Sequence, residues 1–423
     1  MLVFLMFQKI MRLRASRLAA AGFSASVSAT ALLLSPPALS QTDAVSLPVT
    51  VVTASRFEQP IEDVVSDITI VDRAEIERYG ATTINEVLSR LPGVQSVDVG
   101  SPQLFIRGAN ANMTAIYIDG VRVDPQDKGS GNPRLGTLDL SQVQRIEILR
   151  GSASSLYGAK AMGGVIQLFT DGGEPGARVN VGLGSEGLKT GGFGLVGQVD
   201  DQVRYRFSLQ RSTSDGYYTD LIPLSDANSM PWRSGSLNAG ADLNINASHT
   251  LRYVLNATER DAESNSDSYD PVTWLRALAP NARTRSNTVT SGLRWSGAWT
   301  DTVRSEVALS TTRIGVHGSL PETFETRTWD LSAQVLAATT SGEFGLGLER
   351  KLDRLQADDD AYNAALSGIR GQNAASLSWS HRVQQLSWQA NVRVDDDEFF
   401  SRTTSGGLAG AFQISPEFKL RAG

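Results

Sequence analysis

The chain of 423 residues contains no cysteine. That removes a disulfide framework, a thiol nucleophile and every cysteine-ligated metal site, yet it leaves the compartment open, because exported and cytoplasmic proteins alike can do without it. Histidine is almost as scarce. His249, His317 and His381 are the three, scattered with no H-E-x-x-H or other metal-ligand spacing, and no nucleophile elbow accompanies them. Nothing in the sequence assembles a catalytic constellation. Basic charge is not in excess either: 39 Lys and Arg against 45 Asp and Glu give a formal net charge of -6, which argues against the concentrated basic face of a nucleic-acid binder. Beyond the N-terminus no window approaches the roughly 20 apolar residues of a membrane-crossing helix.

What is present begins with Lys9, Arg12, Arg14 and Arg17, then a mildly apolar stretch from Leu18 to Leu34 and "SPPALSQ", with Ala38 and Ser40 small at the two positions a signal peptidase reads. Residues 1–40 are therefore expected to be a secretory signal cut before Gln41, with Met11 a possible true start. The competing reading is an N-terminal membrane anchor. Residues 41–60 read as a flexible segment holding a run of β-branched residues, "VTVVT", which favours a strand. Residues 61–172 read as a compact α/β module. In it "ITIVD", "LFIRG", "AIYIDGVRV", "QRIEILRG" and "GGVIQLFT" are expected as strands, and "RAEIERYG" and "TTINEVLSRLPG" as short helices, the second opening at a Thr cap and stopped by Pro92-Gly93.

After residue 172 the pattern changes to segments of strict alternation. In "VRYRFSLQ" Val203, Tyr205, Phe207 and Leu209 share one face and Arg204, Arg206, Ser208 and Gln210 the other; "QLSWQANVRVD" sets Leu386, Trp388, Ala390, Val392 and Val394 against Gln389, Asn391 and Arg393. An apolar face with Trp and Tyr near strand ends and a strongly polar opposite face is the pattern of strands with lipid outside and water inside. A soluble β-sandwich shares the period of two, but not Arg, Asp and Asn on nearly every strand. Residues 173–423 hold roughly thirteen such segments, short turns alternating with longer polar loops such as Ser212–Ser234 and Glu259–Arg283. An odd number cannot close a bacterial single-chain barrel, so the sequence is expected to be truncated at its C-terminus. "GLGSEG" formally matches a dinucleotide-binding fingerprint, but "LKTGGFGLVGQ" after it alternates like a strand, and a hairpin turn is expected.

"LPVTVVTASRFEQP", "INEVLSRLPGVQSV", "LFIRGANANMTAIYIDGVRV" and "VQRIEILRGSASSLYGAKAMGGVIQLFT" together resemble TonB-dependent outer-membrane transporters, most nearly the cobalamin receptors. The resemblance implies an antiparallel transmembrane β-barrel of about 22 strands with the N-terminal α/β plug inside its lumen, in a monomeric, non-enzymatic protein of the Gram-negative outer membrane. It implies active import of a large scarce ligand, foremost cobalamin or a related corrinoid, with a ferric siderophore or haem as the alternative; a passive porin or adhesin barrel is the rival class. Its partners would be the lipid bilayer, a small-molecule ligand and TonB with its inner-membrane energising complex. Pro48, Val49, Thr50, Val51, Val52, Thr53 and Ala54 match the TonB box, which would pair with TonB by strand addition. Arg56 would latch the plug to a lumen-facing acid, for which Glu349 is the candidate. Arg107, Glu147 and Arg150 are expected to pair within the plug and against the inner wall rather than to bind ligand. Gly100, Ser101 and Gln103, with Asp124, Gln126, Asn132 and Arg134, match the plug apices that would touch substrate. Asp226, Asn228 and Asp261 are candidate ligands of a loop-ordering Ca2+ ion.

Overall fold

A computed structural model describes Thr50, Val51 and residues 59–423, apart from 82, 99–101, 110, 124–139, 141–142, 152, 171–174, 217–228, 270–275, 319–322, 359–364 and 416–417. The expected signal, residues 1–40, lies outside the described residues. The first two strands are minimal: β1 (Thr50–Val51) and β2 (Gln59–Pro60) pair antiparallel, Thr50 opposite Pro60 and Val51 opposite Gln59.

The plug is built on β3 (Asp67–Asp72), β4 (Val94–Asp98), β5 (Pro102–Ile106), β6 (Thr114–Ile118), β7 (Val121–Arg122), β8 (Arg145–Arg150) and β9 (Gly164–Phe169). Five of them form one sheet in the order β3-β8-β9-β6-β7, with β6 and β9 parallel and the other pairs antiparallel; β4 and β5 make a separate hairpin. Two short helices lie between β3 and β4. Arg73–Tyr79 starts where the Asp72 carboxylate accepts from the Glu75 N–H and ends at Gly80 in the left-handed conformation. Ile84–Ser89 starts at Thr83, whose hydroxyl accepts from the Glu86 N–H at 3.2 Å while also reaching the Glu86 carboxylate, a reciprocal cap. Ile76, Ile84, Val87 and Leu88 from these helices pack on Ile116, Ile146, Ile148 and Ile166, one face of the sheet. On the other face Ala115, Tyr117, Leu149 and Val165 are covered by Ala153, Leu156, Tyr157 and Ala161. Period-two alternation places Glu147 on this second face, fully buried, 3.0 Å from Arg145.

The barrel wall is one antiparallel sheet of 13 strands in sequence order: β10 (Gly176–Leu183), β11 (Lys189–Val199), β12 (Val203–Ser214), β13 (Trp232–Asn246), β14 (His249–Tyr269), β15 (Arg276–Ala298), β16 (Val303–Gly318), β17 (Phe324–Thr339), β18 (Gly342–Ala357), β19 (Leu366–Val383), β20 (Leu386–Asp397), β21 (Ser401–Ser415) and β22 (Phe418–Ala422). The turn Ser185–Gly187 joins β10 to β11 as a hairpin with Glu186 and Gly187 at positive φ, so the "GLGSEG" run cradles no phosphate. Tyr205, Leu209, Leu243, Leu293, Leu331, Leu346 and Val392 are exposed on the outer face. At the short-turn end Trp295 and Trp299 pack 5.7 Å apart with His249 stacked on Trp295, and Trp379 and Trp388 pack 6.0 Å apart beside His381. Two of the three histidines thus belong to an aromatic girdle of the kind found at a membrane interface.

Two expectations need correction. Glu259–Arg283 is not a polar loop: β14 runs to Tyr269 and β15 begins at Arg276, so most of the segment is a hairpin extending past the other strands. The inward face is also not uniformly polar. Ile314 and Val316 on β16, Phe324 on β17 and Ala357 on β18 point inward and are buried in the same cluster as the plug helices and sheet. Apolar side chains fit there because the inner wall meets the plug core rather than water.

Candidate functional site: the seat of the plug in the barrel wall

Among the described residues, polar contacts hold the plug against the wall, combining a backbone feature of the plug with a polar side chain that alternation turns inward. In the first, the Arg393 side chain on β20 is 2% exposed and lies 2.9 Å from Asp395 and 3.3 Å from Glu349 on β18. From there its guanidinium donates to the Leu156 carbonyl of the plug helix Ser154–Tyr157 at 3.4 Å. Gly158, at φ 85, follows that helix; a Cβ on it would stand 3.5 Å from the same guanidinium. One arginine therefore neutralises two wall acids and grips the plug backbone, a task suited to a rigid fork of five donors.

The second contact is the tight turn between β6 and β7, where Asp119 (φ 50) and Gly120 (φ 80) occupy successive left-handed positions, as a two-residue hairpin requires. Asp119 accepts from the Thr170 N–H and hydroxyl, both at 2.7 Å, and from the Asn256 amide of β14 at 3.3 Å. Gly120 abuts Arg294 of β15: a Cβ there would fall 2.0 Å from its Nη2, and Arg294 is itself 3.4 Å from Glu306. Gly120→Ala combines a left-handed backbone, costing about 1–2 kcal/mol, with displacement of an ion-paired arginine. The expected result is a plug less stable by at least about 1 kcal/mol and faster hydrogen exchange at Val121 and Arg122.

In the third contact the Thr312 hydroxyl of β16 donates to the Arg122 carbonyl at 2.7 Å, while the Arg122 side chain donates to the Tyr157 carbonyl at 3.3 Å, linking the hairpin to the Arg393 region. A cavity of about 80 Å³ lies where Tyr117, Gly120, Arg122 and Tyr157 face Arg294 and Ser310. Lys419 on β22 adds bonds to the Glu62 and Val64 carbonyls at 2.6 and 2.8 Å. The surrounding inner wall is laced with ion pairs, including Arg252–Asp242 at 2.7 Å and buried Lys351–Asp353 at 2.9 Å.

Of the residues singled out from sequence, Glu349 points inward and its described partner is Arg393. Arg56 lies outside the described residues. So do Pro48, Val49, Val52, Thr53 and Ala54, while Thr50 and Val51 form β1. Gly100, Ser101, Asp124, Gln126, Asn132 and Arg134 also lie outside them; the Gln103 backbone pairs with Val97 in the β4–β5 hairpin. Arg107 and Arg150 converge on Asp67, Arg150 at 3.6 Å and also donating to the Thr69 hydroxyl at 2.6 Å. Burial pushes the Arg150 guanidinium down from its ordinary value, and the Asp67 carboxylate opposes that shift. Asp261 does not suit a calcium ion. Arg283 donates to both its carboxylate oxygens at 2.6 Å and Arg233 adds a contact at 3.1 Å, so two cations already surround the acid. Asp226 and Asn228 lie outside the described residues, among which no cluster of three acid or histidine ligands occurs. The Arg393 clamp was not foreseen, although an inward arginine with an inward acid two residues on, in "NVRVD", is its visible trace.

A folded α/β plug seated by polar clamps in the polar inner wall of an antiparallel sheet with an apolar exterior defines a plugged transmembrane β-barrel. The family described as TonB-dependent Receptor Plug Domain matches residues 60–165. It is 29% identical over 413 residues to the vitamin B12 transporter BtuB of Photobacterium profundum, covering 93% of this chain and 64% of that protein. Among solved structures it superposes on Pseudomonas aeruginosa FpvA bound to a heterologous pyoverdine with a TM-score of 0.69 at 15% identity, covering 88% of this chain and 58% of that one. For the ferric-catecholate import receptor Fiu of E. coli K12 the TM-score is 0.66 at 12% identity, with 86% and 70% covered. The chain thus spans less than two thirds of the curated relative's length.

Proposed function

We propose that this chain acts in TonB-driven import of a large, scarce ligand across the outer membrane, and that the ligand is cobalamin or a related corrinoid. The observation that carries the reading is the seated plug. A folded domain clamped to the inner wall by Arg393, Thr312 and Asn256 opposes free diffusion, so passage needs ligand capture followed by work on the plug; a passive pore or adhesin has no use for it. The similarity to a vitamin B12 transporter along 93% of this chain supports the choice of ligand. On this reading substrate meets the plug apices around Gly100, Ser101 and Gln103 and from Asp124 to Arg134. TonB then adds a strand to Pro48–Ala54 and pulls. Arg56 joins the wall at Glu349, sharing that acid with Arg393.

Equilibrium binding of cyanocobalamin to the detergent-solubilised protein tests the ligand, with a ferric catecholate and haem as comparators. Saturable binding of cyanocobalamin alone is the expected outcome. Saturable binding of the iron chelate instead would keep the importer and replace its substrate, and the siderophore receptors among the solved structures of the same fold make that the comparison to run first.

A further inference from the structure

The connection from β20 to β21, residues 398–400, is a tight turn that presents two large apolar side chains to solvent: Phe399 is 65% and Phe400 70% exposed. It lies at the opposite end of the wall from the aromatic girdle at Trp379 and Trp388, since β20 begins beside that girdle and runs away from it. The outward apolar positions of β20 end at Val394, and Asp396 follows them exposed, so the turn stands beyond the apolar band. Two exposed aromatics in such a place call for an explanation that scattered surface apolar residues do not.

The turn is pinned on every side. One Asp397 oxygen accepts from the N–H of Phe399 at 2.9 Å and of Phe400 at 3.3 Å. The Glu398 carboxylate accepts from the Gly371 N–H at 2.7 Å, and the Glu398 N–H donates to the Gly371 carbonyl at 3.1 Å. The other Asp397 oxygen accepts from Arg370 Nη2 at 2.6 Å and Nε at 2.9 Å, and the same guanidinium lies 4.8 Å from the centre of the Phe400 ring. One carboxylate, 5% exposed, thus fixes both the turn and the cation against the ring.

Alternation gives the direction. Arg370 has the parity opposite to exposed Ile369 and Leu377 on β19, and Asp397 shares the parity of Arg393 and Asp395 on β20, so both face the lumen. Phe400 therefore stands over a lumen-facing guanidinium at the rim. Asp397 is four residues beyond Arg393, about 13 Å along an extended strand, which sets the ring above the plug clamp on the long-loop side. A cation against one face of an aromatic ring is held by the negative potential of that face, and the 70% exposure of Phe400 leaves ring surface open to a second planar group. Because the turn is already held, contact with that group costs little ordering entropy.

We propose that Phe400, backed by Arg370, is a stacking platform at the mouth for a planar, electron-rich ring of the imported ligand, and that in a cobalamin this ring is the benzimidazole base. The inference rests on the import reading above and narrows it to one part of the ligand. The guanidinium draws electron density toward its own face of the ring, which favours an electron-rich partner on the open face. A catechol ring of a ferric siderophore carries the same chemistry, and the experiment separates the two sources.

The test is equilibrium binding to the detergent-solubilised protein of cyanocobalamin, of dicyanocobinamide, which keeps the corrin ring and lacks the base, and of a ferric catecholate. Phe400→Ala should weaken cyanocobalamin about tenfold, the upper part of the range for an aromatic pair, and Phe400→Trp should stay within about twofold of the wild type. Dicyanocobinamide should bind the wild type and Phe400→Ala equally. Phe399→Ala removes a similar apolar area from the same turn and should leave every affinity unchanged. Unchanged cyanocobalamin binding in Phe400→Ala would overturn the platform, as would an equal loss for dicyanocobinamide or an equal loss in Phe399→Ala. If the wild type takes the ferric catecholate and not cyanocobalamin, the corrinoid reading fails by itself. The platform is then decided on the catecholate: a loss confined to Phe400→Ala keeps it, and equal binding removes it. Saturable binding of none of the three would overturn both.

Discussion

Replacing Arg393 with alanine is expected to destabilise the protein by about 3–5 kcal/mol, the usual result of removing one partner from a buried ionic cluster. The magnitude follows from what is left behind. Glu349 and Asp395, 8% and 11% exposed, lose the guanidinium that lies against both, and Gln372, which donates to Asp395 at 3.0 Å, brings no charge of its own. The wall effect and the plug effect can be separated. An apolar triple variant, R393M/E349L/D395L, removes the charges together and should recover most of the lost stability, because a buried ion cluster is often no better than well-packed hydrophobic side chains. It cannot restore the donor to the Leu156 carbonyl. Denaturant unfolding should therefore improve from the single to the triple variant, while hydrogen exchange in Ser154–Tyr157 stays fast in both. Restored protection of that helix in the triple variant would mean that Arg393 serves the wall alone.

How far the sequence announces this arrangement depends on whether a feature is local. The facing of each barrel strand is legible because one physical demand acts on every second residue: in "VRYRFSLQ" and "QLSWQANVRVD" the bilayer requires apolar side chains on one face and the lumen tolerates Arg, Asn and Gln on the other. Glu349 and Arg393 can be assigned to the lumen from parity alone. Their contact cannot, because β19 lies between β18 and β20 and the two residues meet across Ala374, which stands opposite Glu349 on one side and Asp395 on the other. The inward Ile314, Val316 and Phe324 depart from the alternation rule for the same reason: their environment is set by the Ile84–Ser89 helix and its neighbours, more than two hundred residues earlier in the chain. The β14–β15 extension was missed because a run rich in Ser, Asp and Asn between apolar segments has the composition of a loop, and what keeps it extended is cross-strand pairing with arginines such as Arg283. Pro60 stands opposite Thr50. Proline lacks only the N–H, so its carbonyl can still face a partner at the edge of a two-residue ladder.

That short ladder gives the proposed import cycle its sharpest test. Val51→Pro is expected to abolish ligand uptake while leaving ligand affinity unchanged, since strand addition depends on main-chain N–H groups and proline has none to give. The same substitution also disturbs the internal pairing of β1 with β2, where Val51 faces Gln59, so loss of uptake alone has two explanations. Gln59→Pro tells them apart. It breaks the ladder from the other side and leaves Pro48–Ala54 chemically intact, and with the segment released from its internal partner, uptake should be retained. A Val51→Thr variant, which keeps the N–H and the β-branched side chain, should also import normally. Uptake lost in both proline variants would assign the defect to the β1–β2 pairing within the chain and remove the evidence for a partner strand; uptake retained in Val51→Pro would overturn the pulling step itself.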